Sequence, residues 1–472
     1  MVFNSAVFGI FLVIVFALYW GAFSRRVRAQ NILLVIASYI FYGWWDWRFL
    51  SLLFISSLID FLIGLKLPLA KTVRHRKILL GISLFSNLGM LLIFKYYDFF
   101  IQSFLDLSHA LGIQAHAGTL HIILPVGISF YTFQTLSYTI DIYRKKLDPT
   151  KDVVSFFAFV SFFPQLVAGP IERAAHLLPQ FQKNRVVDYP QLARALRLML
   201  WGFFKKIVIA DNVAMFSDAV FSGGNAVHGL ATCVGILAFA LQIYCDFSGY
   251  TDIARGCAAL FGFDIMLNFR TPYFASSPRA FWQRWHISLS TWFRDYVYIP
   301  LGGNRAGNRR MYVNLMATFL LSGLWHGAHW TFVVWGALHG AAVVIQHISD
   351  KWRFSMPAFL SGALLFVFVC FAWVFFRASD LTEACSIIRH IFYPTTQADW
   401  NALLVYAAPW LNVLVSVLLF ILVEMLMLNK TIVRAFVTGP KYRRWAMYYL
   451  CIFWILYFGA IHNAPAFIYF QF

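Results

Sequence analysis

The chain has 472 residues, of which 61% are hydrophobic and 12% are charged, and its formal net charge is +18. A soluble globular domain is nearer half apolar and a quarter charged, so the composition excludes an ordinary soluble enzyme and predicts a polytopic membrane protein. The basic residues cluster after alternate apolar runs, which excludes a nucleic-acid-binding face as the origin of the charge.

Apolar runs that approach the roughly 20 residues of a membrane helix recur along the whole chain. Several are short or interrupted by Gly and Pro, so we expect an all-α bundle with about 10–12 crossings plus re-entrant and interfacial helices. We expect one integral-membrane domain over 1–472, with N-terminal spans in 1–145, a core in 150–347 and C-terminal spans in 348–472. The candidate spans lie near 5–23, 30–45, 48–65, 78–97, 121–140, 153–168, 194–215, 229–247, 312–330, 331–347, 357–376, 410–428 and 446–461.

The basic residues predict the orientation of these spans. They follow the first, third and fifth spans, and residues 96–143 contain no Lys or Arg. This is the positive-inside pattern, which predicts that the N-terminus and the C-terminus both lie outside. The same residues are expected to contact anionic membrane lipids. They include Arg25, Arg26, Arg28, Lys66, Lys71, Arg74, Arg76, Lys77, Arg144, Lys145, Lys146, Lys151, Lys430, Arg434, Lys441, Arg443 and Arg444.

Residues 150–310 are less regular than the N-terminal spans. In "FFPQLVAGPIER", Pro164, Gly169 and Pro170 predict a helix that breaks at membrane depth. Lys205 and Lys206 interrupt a later apolar run, which is therefore expected to lie partly along the membrane interface.

Polar residues continue through the rest of this region. Asp246 and Asp252 lie in an apolar segment, where acidic residues more often have a functional role than a structural one. The alternative is a capped and kinked helix turn. Ser277 and Pro278 form an N-cap and N1 pair that starts a helix. The helix is expected to continue through His286 and, being rich in Arg and Trp, to lie near the cytoplasmic headgroups.

The segment "LSGLWHGAHW" places His326 and His329 in an apolar run that begins near Tyr312. At about 1.5 Å per residue, His326 should lie near the middle of a core about 30 Å thick. A buried imidazole stays neutral because burial disfavours its charged form, and a neutral imidazole can act as a general base. One alternative is a metal site at i, i+3 spacing, although no nearby carboxylate or cysteine completes a ligand set. The other is a structural histidine bonded to a backbone carbonyl.

Two long motifs, "FWQRWHISLSTWFRDYVYIPLGGNR" and "LSGLWHGAHWTFVVWGALHG", closely resemble the membrane-bound O-acyltransferase family. The segments "FFPQLVAGPIER", "QIYCDFSGYTDIARGCAALFGF", "NFRTPYFASS" and the closing "FIYFQF" resemble its bacterial alginate O-acetyltransferase-like branch. The resemblance covers nearly the whole chain. It implies a helical bundle with a thin centre, a cytoplasmic cavity for an acyl thioester and an outer funnel for the acceptor.

The resemblance also implies roles for individual residues. His326 would be the essential catalytic histidine, and His286 the second family histidine, lining the donor tunnel. No metal is expected. Four further residues match motif positions of the family and would belong to the donor tunnel, namely Asp246, Asn268, Arg294 and Asp295.

The sequence therefore predicts an O-acetyltransferase of the bacterial cytoplasmic membrane that passes acetyl from acetyl-CoA or another thioester to an exported, alginate-like polysaccharide. His326 would activate the acceptor hydroxyl, with Ser288, Ser290 or backbone N–H groups steadying the oxyanion. Expected partners are a periplasmic acetyltransferase and a polysaccharide export complex. The alternatives are peptidoglycan O-acetylation, D-alanyl transfer, a polar-metabolite transporter with histidine proton relays, and a non-catalytic scaffold.

Overall fold

The computed structural model describes residues 1–120, 122–167, 169–221, 227–305, 307–350, 356–404, 410–429, 431, 438–460 and 467–468. Every regular element in these ranges is helical, which confirms the predicted all-α class. The α-helices are α1 (Ala6–Ala17), α2 (Val27–Gly43), α3 (Leu50–Lys66), α4 (Val73–Leu91), α5 (Tyr97–Ala110), α6 (Ile128–Tyr143), α7 (Val153–Ser161), α8 (Phe163–Leu166), α9 (Ala174–Phe181), α10 (Tyr189–Phe203), α11 (Asp211–Phe221), α12 (Gly229–Leu260), α13 (Pro278–Trp282), α14 (Ile287–Phe293), α15 (Asn308–His326), α16 (Trp330–Ser349), α17 (Ala358–Arg377), α18 (Leu381–His390), α19 (Gln397–Leu404), α20 (Trp410–Met427) and α21 (Lys441–Phe458).

Several helices have the length and composition to cross a membrane. In the described part of the chain there are six, each with a continuous apolar window, and two shorter apolar helices at Ala6–Ala22 and Val27–Gly43. The predicted total of about 10–12 crossings stays a prediction. The six are Trp47–Lys66, Val73–Ala110, Gly229–Leu260, Trp330–Ser349, Ala358–Arg377 and Trp410–Met427.

Three of the candidate spans are not continuous helices in the structure. The span at 121–140 gives a helix only from Ile128, after irregular chain. The span at 153–168 ends at Ser161, because Phe162 has an extended ψ of 105°, and a short helix follows; this confirms the predicted break. The span at 312–330 is divided at Gly327, whose φ and ψ of −156° and 149° are extended.

The helix predicted at Ser277 begins there but is shorter than expected. The Ser277 side chain accepts a hydrogen bond from the Ala280 N–H, which confirms the N-cap. The helix ends at Trp282, and a new one begins after His286, which has a left-handed φ of 42°. The expectation of one helix running through His286 was therefore wrong, since a residue in this conformation cannot continue a right-handed helix.

The described chain divides into two compact units, and the expectation of one domain stays a prediction. The first unit comprises Met1–Arg197 and Ala254–Met266. Within it, α3, α4 and α6 surround the buried Asp60 carboxylate. The Ser83 hydroxyl and the Asn87 amide donate to its two oxygens at 2.6 and 2.8 Å. Because a buried polar group is costly unless it is bonded, these contacts fix the register of α3 against α4.

The second unit comprises Leu198–Ile253 and Leu267–Phe472. Its closest helix pair is α15 and α16, which are connected by only three residues. A Cβ on Gly323 would lie 2.2 Å from the Phe332 carbonyl oxygen, and one on Gly336 would lie 2.4 Å from that of Phe319. The two glycines therefore allow close approach of the two backbones, and this contact sets where the end of α15 lies against α16.

Candidate active site

His326 is the last residue of α15. The helix stops because Gly327 is extended, and a side chain there would overlap the Phe332 ring, since a Cβ would lie 2.0 Å from Cε2. His329 is the N-cap of α16 and is exposed. The two histidines therefore do not share a helix face, which removes the i, i+3 geometry considered for a metal.

The His326 side chain is enclosed by aromatic rings and is only 3% exposed. The ring centroids of Trp325, Trp335 and Phe376 lie 5.0, 5.1 and 5.3 Å from that of the imidazole, all steeply inclined to it. An aromatic enclosure excludes bulk water and strengthens the electrostatic interactions of any polar group inside it.

His286 lies beside His326, with 6.2 Å between the ring centroids. It is fully buried, and its ring packs edge-on against Phe247 at 4.7 Å. Its left-handed backbone is unusual for a residue with a side chain, and such strain is retained most often at functional sites. With this backbone conformation, the imidazole of His286 is fully buried.

Asn268 defines the tautomer of His286. Asn268 Oδ1 accepts from the Ser288 backbone N–H at 3.3 Å and from the Ser288 hydroxyl at 2.8 Å, which identifies that atom as the oxygen. His286 Nδ1 lies 3.1 Å from the same oxygen and must therefore be the protonated nitrogen. A neutral His286 then carries its lone pair on Nε2.

The remaining predicted donor-tunnel residues occupy two other environments. Asp246 is buried in what we call the lysine–aspartate cluster, formed by Lys205, Lys206, Asp211, Asp246 and Asp252. Arg294 and Asp295 follow the end of α14, bond to each other at 2.8 Å, and have side chains that are 60% and 32% exposed. Asn268 contacts a candidate histidine, His286. The donor-tunnel assignment of all four residues stays a prediction.

Every lysine in the lysine–aspartate cluster has a carboxylate partner. Lys206 Nζ lies 2.7 Å from Asp211 Oδ1 and 2.9 Å from Asp246 Oδ1. Lys205 Nζ lies 2.8 Å from Asp252 Oδ2. Both lysines belong to a π-helical segment, Phe204–Ala210, and are buried. The lysines are therefore neutralised inside the protein and do not need the headgroups. The position of this segment partly along the interface stays a prediction.

Both hydroxyls considered for oxyanion stabilisation already donate elsewhere. The Ser288 hydroxyl donates to Asn268 Oδ1, and the Ser290 hydroxyl donates to the Trp285 carbonyl at 3.3 Å. A hydroxyl has only one proton to donate, so neither is available to an oxyanion in this arrangement.

Sequence reasoning missed Trp335, which lies against His326. A sequence signal existed: the Gly323–Gly336 contact places the first turns of α16 beside the end of α15. Within the described ranges, no group of three or more His, Cys, Asp or Glu side chains is arranged to hold a metal ion.

Comparison with known proteins identifies the family to which this chain is similar. The model of the membrane-bound O-acyltransferase family matches residues 150–379. A probable alginate O-acetylase AlgI of Pseudomonas putida is 41% identical over 410 residues, covering 85% of this chain and 81% of that protein. A peptidoglycan O-acetyltransferase of Helicobacter pylori is 37% identical over 398 residues, covering 78% and 75%. A teichoic acid D-alanyltransferase of Bacillus subtilis is 27% identical over 289 residues, covering 57% and 72%.

The fold and the site define a multi-pass membrane protein with two histidines buried among aromatic rings. The chain belongs to the membrane-bound O-acyltransferase family, as its motifs predicted. It is an O-acyltransferase that acts in a membrane.

Proposed function

We propose that this protein transfers acetyl groups from acetyl-CoA on the cytoplasmic side of the bacterial inner membrane to an exported, alginate-like polysaccharide. The observation that carries the proposal is the buried His326–His286 pair in a chain 41% identical to alginate O-acetylases. The acetyl group reaches the polymer directly or through a periplasmic acetyltransferase, within a polysaccharide export complex. Both termini lie on the outer side.

His326 acts as the general base. Its unprotonated ring nitrogen takes the proton of the acceptor hydroxyl while that oxygen attacks the thioester carbonyl carbon, forming a C–O bond. The tetrahedral intermediate then expels the thiolate by breaking the C–S bond, and the imidazolium returns its proton to the sulfur. Base catalysis of this kind contributes roughly 10²–10⁴-fold. His286, held by Asn268, lines the path of the thioester and presents its Nε2 lone pair.

Two related activities use the same chemistry. Peptidoglycan acetylation is the second candidate, because the relative of that name matches at 37% identity over most of the chain. The D-alanyltransferase relatives match at 27–28% over little more than half of it, which favours acetyl as the transferred group.

Replacement of His326 by Gln tests the proposal in cells that lack the native copy. Glutamine keeps the size and polarity of the side chain but has no titratable nitrogen, so acetylation of the exported polymer should fall by roughly 10²–10⁴-fold. His329→Gln is the matched control, since it is three residues away and exposed. Polymer acetylation at wild-type level, with wild-type amounts of His326→Gln protein in the membrane, would contradict the base role.

Radiolabelled acetyl-CoA tests the donor. Membranes of the producing bacterium, permeabilised with detergent, should move label from acetyl-CoA into the polymer fraction without any ion gradient. A carrier-bound donor would leave the polymer unlabelled under these conditions while acetylation in intact cells continued.

A further inference from the structure

Acyl transfer with His326 as the base also requires a hydrogen-bond donor for the oxyanion, because the base itself does not provide one. When the hydroxyl attacks, the thioester oxygen acquires negative charge, and a preorganised N–H or O–H donor must face it inside the site. The two serine hydroxyls nearest in sequence to His286 are committed to Asn268 and to the Trp285 carbonyl. With these two hydroxyls committed, an N–H group near His326 remains as the donor.

Trp335 has the required features. It is fully buried, and its ring centroid lies 5.1 Å from that of His326 at an interplanar angle of 84°. Among the described residues its indole Nε1 has no hydrogen-bond partner. A buried N–H without an acceptor carries a free-energy cost, so native proteins seldom keep one unless a ligand or a reaction uses it.

The neighbouring tryptophans show that burial among aromatic rings does not by itself leave an indole N–H without an acceptor. Trp373 stacks on Trp335 with 5.9 Å between centroids and is equally buried, yet its indole N–H donates to the Tyr273 hydroxyl at 3.2 Å. Trp282 also has a buried Nε1 without a partner, but its ring contacts Trp335 and His339 rather than His326. Trp335 alone of these three lies against the proposed base.

We propose that the indole N–H of Trp335 stabilises the oxyanion of the tetrahedral intermediate, which makes Trp335 a catalytic residue of this acyltransferase. This assignment rests on the proposed function. An oxyanion donor lies about 2.7–3.1 Å from the oxygen that it serves, and reacting atoms meet at about 3–3.5 Å. A base and a donor whose rings are 5.1 Å apart are close enough to act on the two sides of one acyl carbon.

The step is balanced without any further reactant. The C–O bond forms as His326 takes the hydroxyl proton, and the carbonyl π electrons move to the oxygen that Trp335 N–H faces. When the carbonyl re-forms, the C–S bond breaks and the thiolate receives the proton from His326. Trp335 keeps its own proton throughout and contributes only a hydrogen bond that strengthens as charge develops.

Trp335→Phe removes the N–H and keeps an aromatic ring. We expect kcat for labelled acetyl transfer from acetyl-CoA, in membranes of the producing bacterium that lack the native copy, to fall by roughly 10²–10³-fold. The KM for acetyl-CoA should change little, because the bond forms in the transition state. Trp373→Phe is the matched control: it removes an N–H that already has an acceptor, so kcat should stay near the wild-type value.

A second variant covers the case in which phenylalanine leaves a cavity and the protein does not fold. Incorporation of 3-benzothienylalanine at position 335 replaces the N–H by sulfur and keeps the ring size, and the same loss of kcat is expected. Wild-type kcat in that variant or in folded Trp335→Phe would overturn the assignment and indicate an indole held by ring contacts alone. His326→Gln separates the two proposals: if it is inactive while Trp335→Phe is fully active, only the Trp335 assignment fails, and if it is active, the proposed function fails.

Discussion

The lysine–aspartate cluster and the aromatic enclosure of His326 are both buried in the second unit, but they treat polar atoms differently. In the first, each ammonium group lies within 3 Å of a carboxylate oxygen, so the charges satisfy one another. In the second, imidazoles lie among aromatic rings, and the Trp335 N–H faces no acceptor in the described chain. Buried polar groups that bond to one another stabilise the fold, whereas a buried N–H without a protein acceptor can donate a hydrogen bond to a substrate.

Among the variants that test this comparison, Lys206→Met should have the largest effect on the stability of the protein. The change leaves Asp211 and Asp246 buried without their shared cation, and removal of one partner of a buried ion pair costs about 3–5 kcal/mol. We expect a lower yield of folded protein and a lower thermal midpoint in detergent. If the cluster acts only through these ion pairs, acetyl transfer per folded molecule should be retained.

Two control variants sharpen that result. Lys183→Met removes an exposed lysine and should leave the thermal midpoint unchanged. Lys205→Met should have an intermediate effect, since the side chain of its partner Asp252 is 15% exposed and can be hydrated. A raised KM for acetyl-CoA in folded Lys206→Met, with the midpoint intact, would instead support the donor-tunnel role predicted for Asp246.

Asn268→Leu should have an intermediate effect, which is on the rate of acetyl transfer. Leucine is similar in size to asparagine but cannot accept the hydrogen bond from His286 Nδ1–H. Loss of a hydrogen bond worth about 1.4 kcal/mol corresponds to a roughly tenfold slower transfer. Asn268→Asp keeps the acceptor and should restore most of the rate, which a purely space-filling role would not predict. Ser288→Ala is the control, because it removes one donor to the Asn268 oxygen and leaves the His286 contact in place.

Sequence patterns could predict the parts of this fold that depend on local chemistry. Ser277 followed by Pro278 predicted a helix start, and Pro164, Gly169 and Pro170 predicted the break that the structure has after Ser161. The full aromatic enclosure could not be predicted, because Phe376 joins Trp325 and Trp335 from a third helix, α17, which is distant in the chain. The burial of Lys205 and Lys206 was missed for the same reason: a lysine in an apolar run indicates an interface unless its carboxylate partners, distant in the chain, are known.

The smallest effect is expected from Asp399 in α19, a buried carboxylate whose two oxygens both accept hydrogen bonds. The Thr396 N–H and hydroxyl donate to Oδ2, and the His228 backbone N–H donates to Oδ1, with His228 Nδ1 3.0 Å from the same atom. The hydrogen bonds from Thr396, followed by those from His228, hold the pKa of Asp399 well below its usual range. Because the folded pKa is lowered, the stabilisation is present above the ordinary carboxyl pKa of about 4 and is lost as pH falls below it.

Asp399→Asn should therefore weaken this connection near neutral pH and have progressively less effect as the pH falls below about 4. The measurement is hydrogen–deuterium exchange of the peptides that contain His228 and Thr396, compared between wild type and variant from pH 7 downwards after correction for intrinsic exchange. Asp350→Asn is the control, because its carboxylate is 53% exposed and 3.8 Å from Arg279. Equal protection of these amides in wild type and Asp399→Asn at pH 7 would show that the connection contributes nothing. A difference there that shrinks on acidification would show that the ionised Asp399 stabilises the connection between His228 and Thr396, whereas the lysine–aspartate cluster is expected to stabilise the whole unit.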